Sequence, residues 1–198
     1  KAGDFEVGGD NSVTTDFHMG PWESIRSIFP SCWGYCSWAN RDESAKSYKK
    51  RELVNNLIGT IASGGQFAYN IGTKGDGTID PFDADVVTDV GQWMARHPNA
   101  ITGARPTWYP APNWGKVMTT GNDLYFFPEL WSPGKTLTLP GVGGHVTGVS
   151  VDGTDRSLEF TQDGTTLTVT MSGENPEPNM RAVIKVSFDA EPTYIPPE

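Results

Sequence analysis

Apolar positions in the first third of the chain recur at the spacing of a helix. Between Ser44 and Ser63 they form one face of a 3.6-residue repeat: Leu53, Leu57, Ile58 and Ile61. Gly64 and Gly65 follow directly, and glycine is the residue that most often ends a helix. The pattern therefore predicts an amphipathic helix over residues 44–63.

The next segments alternate between strand and helix patterns. Phe67–Ile71 is a short apolar run of strand type, and a turn-rich loop, TKGDGTID, separates it from Pro81, where a second helix should begin. Apolar residues after this proline again have helical spacing: Val86, Val87, Val90, Trp93 and Met94. With a further strand expected near Trp22, the first half is typical of β/α repetition.

This order fits both a parallel barrel and a doubly wound sheet, and the pattern does not choose between them. In both folds, ligands bind at the carboxyl ends of the strands. We therefore expect the segments Trp22–Ser24 and Asn70–Gly77 to lie on one functional face.

The second half of the chain has the pattern of an all-β domain. Residues 104–115 are rich in proline and aromatic residues and are predicted to be a linker packed on a surface. Short alternating segments follow: DLYFFPEL, KTLTLPG, HVTGVSVDG, SLEFTQDG, TTLTVTMSG and RAVIKVSFD. Strands at this spacing predict an antiparallel sandwich, and no helix-sized pattern follows Pro98.

Composition and charge narrow the range of partners. The 198 residues carry a formal net charge of -9, and the isoelectric point is about 4.7. Nucleic acid is excluded as the main partner because a phosphate backbone requires a basic surface, and anionic membranes are disfavoured for the same reason. No apolar run approaches the roughly 20 residues that span a membrane.

The sequence offers little metal or redox chemistry. Cys32 and Cys36 are the two cysteines, and their spacing fits no common zinc or redox pattern, so free and locally paired thiols both remain open. The histidines are far apart in sequence: His18, His97 and His145. We therefore expect no metal site and no cofactor.

A lone carboxylate, Glu23, stands in the aromatic stretch GPWESIRSIFPSCWGYCSW. A carboxyl group at a strand end beside Trp22 would be partly desolvated, and desolvation raises the pKa toward the value that a general acid requires. Together with a second carboxylate it would form the catalytic pair of a glycosidase. The alternative is a surface glutamate in a loop or an ion pair, the commoner setting for a glutamate.

The same stretch contains rings that suit a sugar. Trp22, Trp33, Tyr35 and Trp38 can pack against the C–H faces of a pyranose or fill a core, and the pattern leaves both roles open. The glycine-rich loop after Phe67–Ile71 matches neither a P-loop nor a dinucleotide fingerprint, and its aspartates lack the spacing of a calcium loop. It is predicted to be a tight βα connection.

Four stretches, in order along the chain, resemble the α-L-fucosidases of glycoside hydrolase family 29. They are GPWES (20–24), SCWGY (31–35), RELVNNLIGTIASGGQFAYNIGTKGDGTIDP (51–81) and VGQWMARHPNAITGARPTW (90–108). The β-rich half, with KTLTLPG, also resembles the C-terminal β-domain of that family.

The resemblance implies a fold and a reaction. Residues 1–110 would form the last β/α units of a (β/α)8-type catalytic barrel, an α/β fold, and residues 111–198 a C-terminal antiparallel β-sandwich. The family hydrolyses α-L-fucosides with retention through a covalent intermediate on an Asp. No residue here matches that Asp, so the N-terminal half of the barrel, as a separate or nicked chain, would have to supply it.

The resemblance also assigns roles to residues. Glu23 matches the general acid/base of many members, and Trp22, Trp33, Tyr35 and Asn70 would contact the substrate. The expected partners are a fucosylated glycan and the N-terminal half of the enzyme, and secretion is the expected location. The alternative is a non-catalytic carbohydrate-binding or structural module.

Overall fold

The computed structural model describes residues 4–13, 17–18 and 20–196 of the chain. It contains two compact units, Lys1–Ala95 and Arg96–Glu198. Within the described residues, the first unit holds parallel strands and two long helices, and the second is almost entirely antiparallel sheet. The chain is therefore an α/β unit followed by an all-β unit, as the hydrophobic pattern predicted.

The first unit is built on three parallel strands. These are β1 (Glu6–Val7), β2 (Trp22–Ser27) and β3 (Gln66–Asn70), in the order β1-β2-β3. Helix α1 (Glu43–Ala62) follows β2, and helix α2 (Pro81–Arg96) follows β3. A helix that connects two parallel neighbouring strands is the βαβ unit, so the predicted β/α repetition is confirmed.

Local chemistry sets the ends of α1. The side chain of Asp42 accepts a hydrogen bond from the Ala45 N–H over 2.7 Å, which makes Asp42 the N-cap. Gly64 follows the helix at a φ of 88°, a left-handed conformation that glycine adopts without a steric penalty. The predicted bounds, 44–63, are one residue off at each end. No helix in the described part of the chain is long and apolar enough to cross a membrane.

Arg26 shows which face of the parallel sheet meets α1. Its guanidinium contacts Glu52 of that helix at 2.9 Å, so Arg26 points toward α1. Side chains alternate between the two faces of a strand. Glu23, Ile25 and Ser27 therefore point to the face opposite α1.

The second unit begins with a single helical turn and continues as strands. The turn is α3 (Pro98–Ile101). The strands among the described residues are β4 (Arg105–Pro106), β5 (Gly115–Thr120), β6 (Asp123–Pro128), β7 (Thr136–Leu139), β8 (Val142–Gly143), β9 (Val146–Val151), β10 (Glu159–Asp163), β11 (Thr166–Thr170), β12 (Ile184–Phe188) and β13 (Thr193–Tyr194). They form sheets in the orders β4-β5-β6-β12-β9, β10-β11-β7 and β13-β8.

Both larger sheets contribute side chains to one apolar core. Leu167 and Val169 of β11 are buried on one side, and Phe126 of β6 belongs to the same cluster from the other sheet. Two antiparallel sheets that share a core form a sandwich. Each of the six segments that were predicted to be strands contains one.

In the sequence, the first unit ends at Ala95 and the second begins at Arg96, whereas the predicted boundary was 110/111. Strand β4 pairs with β5, and the Thr120 hydroxyl donates to the Asn99 carbonyl over 2.6 Å. Because of these bonds, residues 96–110 belong to the sandwich unit. The segment 104–115 is thus more than a linker, since it supplies an edge strand.

Candidate active site at the carboxyl edge of the parallel sheet

Strands β2 and β3 end side by side at Ser27 and Asn70, which are paired in the sheet register. This end of the sheet is called the carboxyl edge below. The Asn70 side-chain Nδ2 donates to the Trp33 carbonyl oxygen over 2.8 Å and lies 3.3 Å from Ser27 Oγ. One amide therefore joins the end of β3 to β2 and to the loop that follows β2.

A disulfide closes part of that loop. Cys32 and Cys36 are bonded to each other, which settles the alternative that the sequence left open. The Cys32 N–H donates to the Phe29 carbonyl over 2.9 Å, and Arg41 Nη1 donates to the Cys36 carbonyl over 2.7 Å. The segment Trp33–Tyr35 is thus held between two linked cysteines whose backbone is itself anchored.

Arg41 lies among aromatic rings and carboxylates. Its guanidinium carbon is 4.7 Å from the ring centroid of Phe29 and 4.6 Å from that of Tyr35. Its Nε lies 3.4 Å from Asp83 Oδ1 and 3.8 Å from Asp80 Oδ1. Burial raises the pKa of Asp83, and the charge of Arg41 works against that shift. The arginine therefore connects the loop to the beginning of α2.

Asp80 gathers hydrogen bonds at the start of α2. It accepts from the Tyr35 hydroxyl at 3.1 Å, from Lys74 Nζ at 3.1 Å and from the Phe82 N–H at 3.1 Å. Burial opposes the charge of Asp80, but these hydrogen bonds outweigh burial and lower the pKa of its carboxyl group. Asp80 is therefore an ionised anchor for the loop at neutral pH.

Gly72 allows the loop to approach the end of β3. A Cβ atom at this position would collide with the Gly34 carbonyl group and the Tyr35 backbone nitrogen. Such a close approach of two backbones is a recognised use of glycine. The SCWGY and NIG segments, which are far apart in sequence, therefore meet in the fold.

The predicted sugar-binding rings on the loop have different environments. Trp33 is 42% exposed. Tyr35 is half-buried, with Arg41 and Lys74 at 4.6 Å and 5.5 Å from its ring centroid and its hydroxyl bonded to Asp80. Trp33 is thus available to stack on a sugar, whereas Tyr35 is placed to hold the loop. Both binding roles stay predictions.

Trp22 lies at the other end of the sheet. It is the first residue of β2 and only 5% exposed. A Cβ atom on Gly65 would overlap its indole, and the His18 ring centroid lies 5.5 Å from its ring. Of the two roles that the sequence left open for this ring, its burial fits core packing and does not fit substrate stacking.

Glu23 lies near the amino end of β2, where it pairs with Gln66 at the start of β3. At about 3.3 Å per residue, it is about 13 Å from Ser27 along the strand. The expectation that Trp22–Ser24 and Asn70–Gly77 share one face at the carboxyl edge is therefore wrong, because the first segment begins its strand. The catalytic role of Glu23 stays a prediction.

Asp10, a carboxylate outside the motifs that predicted the site, lies next to the residue that bonds to the carboxyl edge. β1 is parallel to β2, with Val7 opposite Glu23, so the chain beyond β1 continues toward the end of β2. There Asn11 Oδ1 accepts a hydrogen bond from the Ser27 N–H over 2.7 Å, and the neighbouring Asp10 is exposed. The available signal was the turn sequence GGDN directly after a short strand-like run.

The carboxylates near the carboxyl edge therefore differ in their surroundings. Asp80 and Asp83 lie within ion-pair distance of Arg41, whereas Asp10 is exposed. Within residues 4–13, 17–18 and 20–196, no group of three or more His, Cys, Asp or Glu side chains is arranged to hold a metal ion. The edge thus presents a solvent-facing carboxylate, Asp10, and an exposed indole, Trp33.

Known proteins are similar to parts of this chain in sequence. The chain is 27% identical over 186 residues to an α-L-fucosidase of Dictyostelium discoideum, an alignment that covers 86% of this chain and 39% of that protein. It is 29% identical over 125 residues to the human tissue α-L-fucosidase, covering 60% of this chain and 25% of that protein. The chain thus spans well under half of the length of these relatives.

Solved structures share its fold. An α-L-fucosidase from Vibrio sp. strain EJY3 superposes with a TM-score of 0.84 at 23% identity, covering 96% of this chain and 34% of that one. A GH29 α-L-fucosidase from Bacteroides thetaiotaomicron superposes with a TM-score of 0.76 at 19% identity, covering 94% and 43%. At these identities the likeness concerns the fold alone.

A family model provides the assignment. The model described as alpha-L-fucosidase matches residues 1–99, half of the 198-residue chain. That range includes the whole carboxyl edge, with the SCWGY loop and the NIG segment. The chain therefore belongs to the α-L-fucosidase family of glycoside hydrolases.

Proposed function

We propose that the protein is a retaining α-L-fucosidase that removes terminal α-L-fucose from glycans or glycoconjugates. The observation that carries the proposal is the junction at the carboxyl edge, where Asn70 binds the Trp33 carbonyl and so fixes an exposed indole beside the strand ends. In β/α folds, substrates bind at this edge of the sheet. Family membership supplies the substrate class, a fucoside.

We further propose that the first unit is the end of a (β/α)8-type barrel. A parallel sheet of three strands normally has both faces covered, and β1 and β3 are its outermost strands among the described residues. The other strands of the barrel, and the Asp nucleophile, would come from the N-terminal half of the enzyme. An intact mass under denaturing conditions would show whether a second polypeptide accompanies this one.

The proposed reaction has two steps. An upstream Asp carboxylate attacks the anomeric carbon, the bond to the leaving oxygen breaks, and an acid on this chain donates its proton to that oxygen. The same group then removes a proton from water, which attacks the glycosyl-enzyme and releases fucose with retained configuration. The Bacteroides thetaiotaomicron relative was solved as a trapped covalent intermediate with 2-fluoro-fucosyl fluoride, which supports this route.

Geometry favours Asp10 over Glu23 as the acid/base. Retention requires the two carboxyl groups to be about 5 to 5.5 Å apart. With a nucleophile at the carboxyl edge, Glu23 would be too distant, because it lies about 13 Å from Ser27 along the strand at about 3.3 Å per residue. Asp10 is next to Asn11, which bonds to Ser27 at that edge, and it is exposed to solvent.

Two amide variants in the full-length enzyme test the function and the assignment together. D10N should lower kcat/KM for fucosides with poor leaving groups by about 10²- to 10⁴-fold, because it removes the proton donor. The loss should be much smaller for aryl fucosides with good leaving groups, which depart without a proton, and E23Q is the matched control. If E23Q lost most of its kcat/KM while D10N kept the wild-type value, Glu23 and not Asp10 would be the acid/base.

If the wild-type enzyme released no fucose from any fucoside, the hydrolase proposal would fail. The non-catalytic alternative would then gain, and a shallow depression on β10 and β11 offers it a location. Its lining combines a ring with hydroxyl groups, among them Phe160, Thr161, Thr168 and Thr170. Retardation of the full-length protein in gels that contain fucosylated glycans would support that alternative.

We also propose that the protein is secreted. The bond between Cys32 and Cys36 supports this location, because disulfides persist mainly in oxidising compartments. The test is a thiol titration of denatured protein from its native source, which should find no free thiol at either cysteine. Two free thiols would contradict it.

A further inference from the structure

The tryptophans of the first unit divide into a buried pair and an exposed pair. Trp22 and Trp93 are 5% and 0% exposed, whereas Trp33 and Trp38 are 42% and 72% exposed. Both exposed rings lie on the connection between β2 and α1. One exposed ring would be unremarkable on a protein surface, but two exposed indoles on the connection that leaves the carboxyl edge are suited to stack on successive sugar units.

The backbone that carries Trp38 is fixed on both sides. Cys36 is buried and disulfide-bonded, and the Ala39 N–H donates to the Cys36 carbonyl over 3.2 Å. Ser37 and Asn40 on either side of Trp38 are exposed and polar, and the Asn40 amide is held in place by hydrogen bonds to Asp42. A pyranose needs a ring against its C–H face and polar groups for its hydroxyls, and this turn provides both.

We propose that Trp38 forms the subsite for the leaving-group sugar, the saccharide unit to which the fucose is attached. The inference rests on the proposed function. If fucose lies against Trp33 at the carboxyl edge, the attached unit must extend outward, away from the strand ends. Trp38 lies farther along the same connection, beyond the buried Cys36, and its ring is the more exposed of the two.

The role predicts a selective effect on substrates that contain a leaving-group sugar. A substrate without one, α-L-fucosyl fluoride, cannot contact this subsite. Trp38→Ala in the full-length enzyme should lower kcat/KM for the best fucosyl disaccharide about five- to tenfold more than for the fluoride, the scale of a lost stacking contact. Trp38→Phe keeps a ring and should restore most of the disaccharide activity.

A matched control is Tyr48→Ala, which removes an exposed ring from α1 and should change neither substrate. Equal losses on disaccharide and fluoride in Trp38→Ala would overturn the subsite, since they would mean that the loop supports the fucose pocket instead. Unchanged disaccharide kinetics in Trp38→Ala would overturn it as well. Absence of activity in the wild-type enzyme on both substrates would instead refute the proposed function.

Discussion

The side-chain amide of Asn70 donates a hydrogen bond to the backbone carbonyl of Trp33 over 2.8 Å, across 37 positions of sequence. This bond connects the last residue of β3 to the loop that carries the exposed indole. Because Asn70 is also 3.3 Å from Ser27 Oγ, the ends of two strands and one loop depend on a single side chain.

Asn70→Asp should destabilise the first unit by about 1 to 3 kcal/mol, because a carboxylate cannot donate to the Trp33 carbonyl. Urea unfolding checks this, with Asn122→Asp as a control that adds the same charge at an exposed position of the second unit. We also expect kcat/KM for fucosides to fall, since Trp33 loses its anchor. Equal stability of the two variants would contradict the role given to the amide.

Gly72→Ala should destabilise the protein by about 1 to 3 kcal/mol, the usual cost of forcing an extra methyl group into a packed site. The collision involves the backbone of Gly34, which cannot swing away as a flexible side chain can. Gly75→Ala in the same loop is the matched control, because a Cβ there meets nothing within 4 Å. The thermal unfolding midpoints of the two variants test this prediction. Equal midpoints would contradict the close approach of Gly72 to the Gly34 backbone.

Replacing both cysteines by serine should lower the free energy of unfolding by about 2 kcal/mol, the chain-entropy value for so short a loop. The wild-type melting temperature should fall in dithiothreitol, whereas that of the Cys32→Ser/Cys36→Ser variant should not respond. If dithiothreitol lowered the melting temperature of the wild type and of the double variant equally, the disulfide would not be the cause of the decrease. Tryptophan fluorescence would report the expected loosening around Trp33 and Trp38.

His97 should make stability depend on pH. Its ring is buried, with Nδ1 at 2.7 Å from Asp152 Oδ2 and Nε2 at 3.5 Å from Glu177 Oε1, and Glu177 also contacts Arg96 at 2.9 Å. Burial works to lower the pKa of His97, but its interactions with the carboxylates of Asp152 and Glu177, which accept hydrogen bonds from the ring, outweigh burial and raise the pKa above its ordinary value. Folding therefore favours the imidazolium form of His97.

The raised pKa of His97 determines whether stability increases or decreases with pH. A raised folded-state pKa contributes stability that is fully present below the unfolded value, about 6.5, and is lost as the pH rises through the folded value. The melting temperature should therefore decline above about pH 6.5. His97→Gln should flatten this decline, and His145→Gln, at an exposed site, should leave it unchanged. A wild-type profile that is level from neutral to alkaline pH would contradict the prediction.

Local pattern was sufficient for much of the fold. The apolar spacing of Leu53, Leu57 and Ile58 and the glycines after Ser63 located α1 to within one residue at each end. Short segments bounded by glycine, proline or aspartate located six of the sandwich strands, and strict alternation marked β11, because a strand buried on one face alternates. The boundary between the units was harder to predict from the sequence, since β4 is recognisable only through its pairing with β5.

The site depended more on tertiary structure. Residue types and the chain-wide resemblance identified the family and the loop with Trp33, and the resemblance also drew attention to Glu23. Which end of a strand a residue occupies, however, is decided by register, and the register pairs Glu23 with Gln66 at the amino end. Asp10 is a turn residue in sequence, and only the bond between its neighbour Asn11 and Ser27 brings it to the carboxyl edge.

The sequence by itself thus determined the kinds of element, their order and the family, because helix and strand periods and short motifs are local properties of the chain. The tertiary structure alone decided which carboxylate and which ring share an edge with Asn70. That outcome rests on pairings between strands and loops far apart in sequence, which local spacing does not encode.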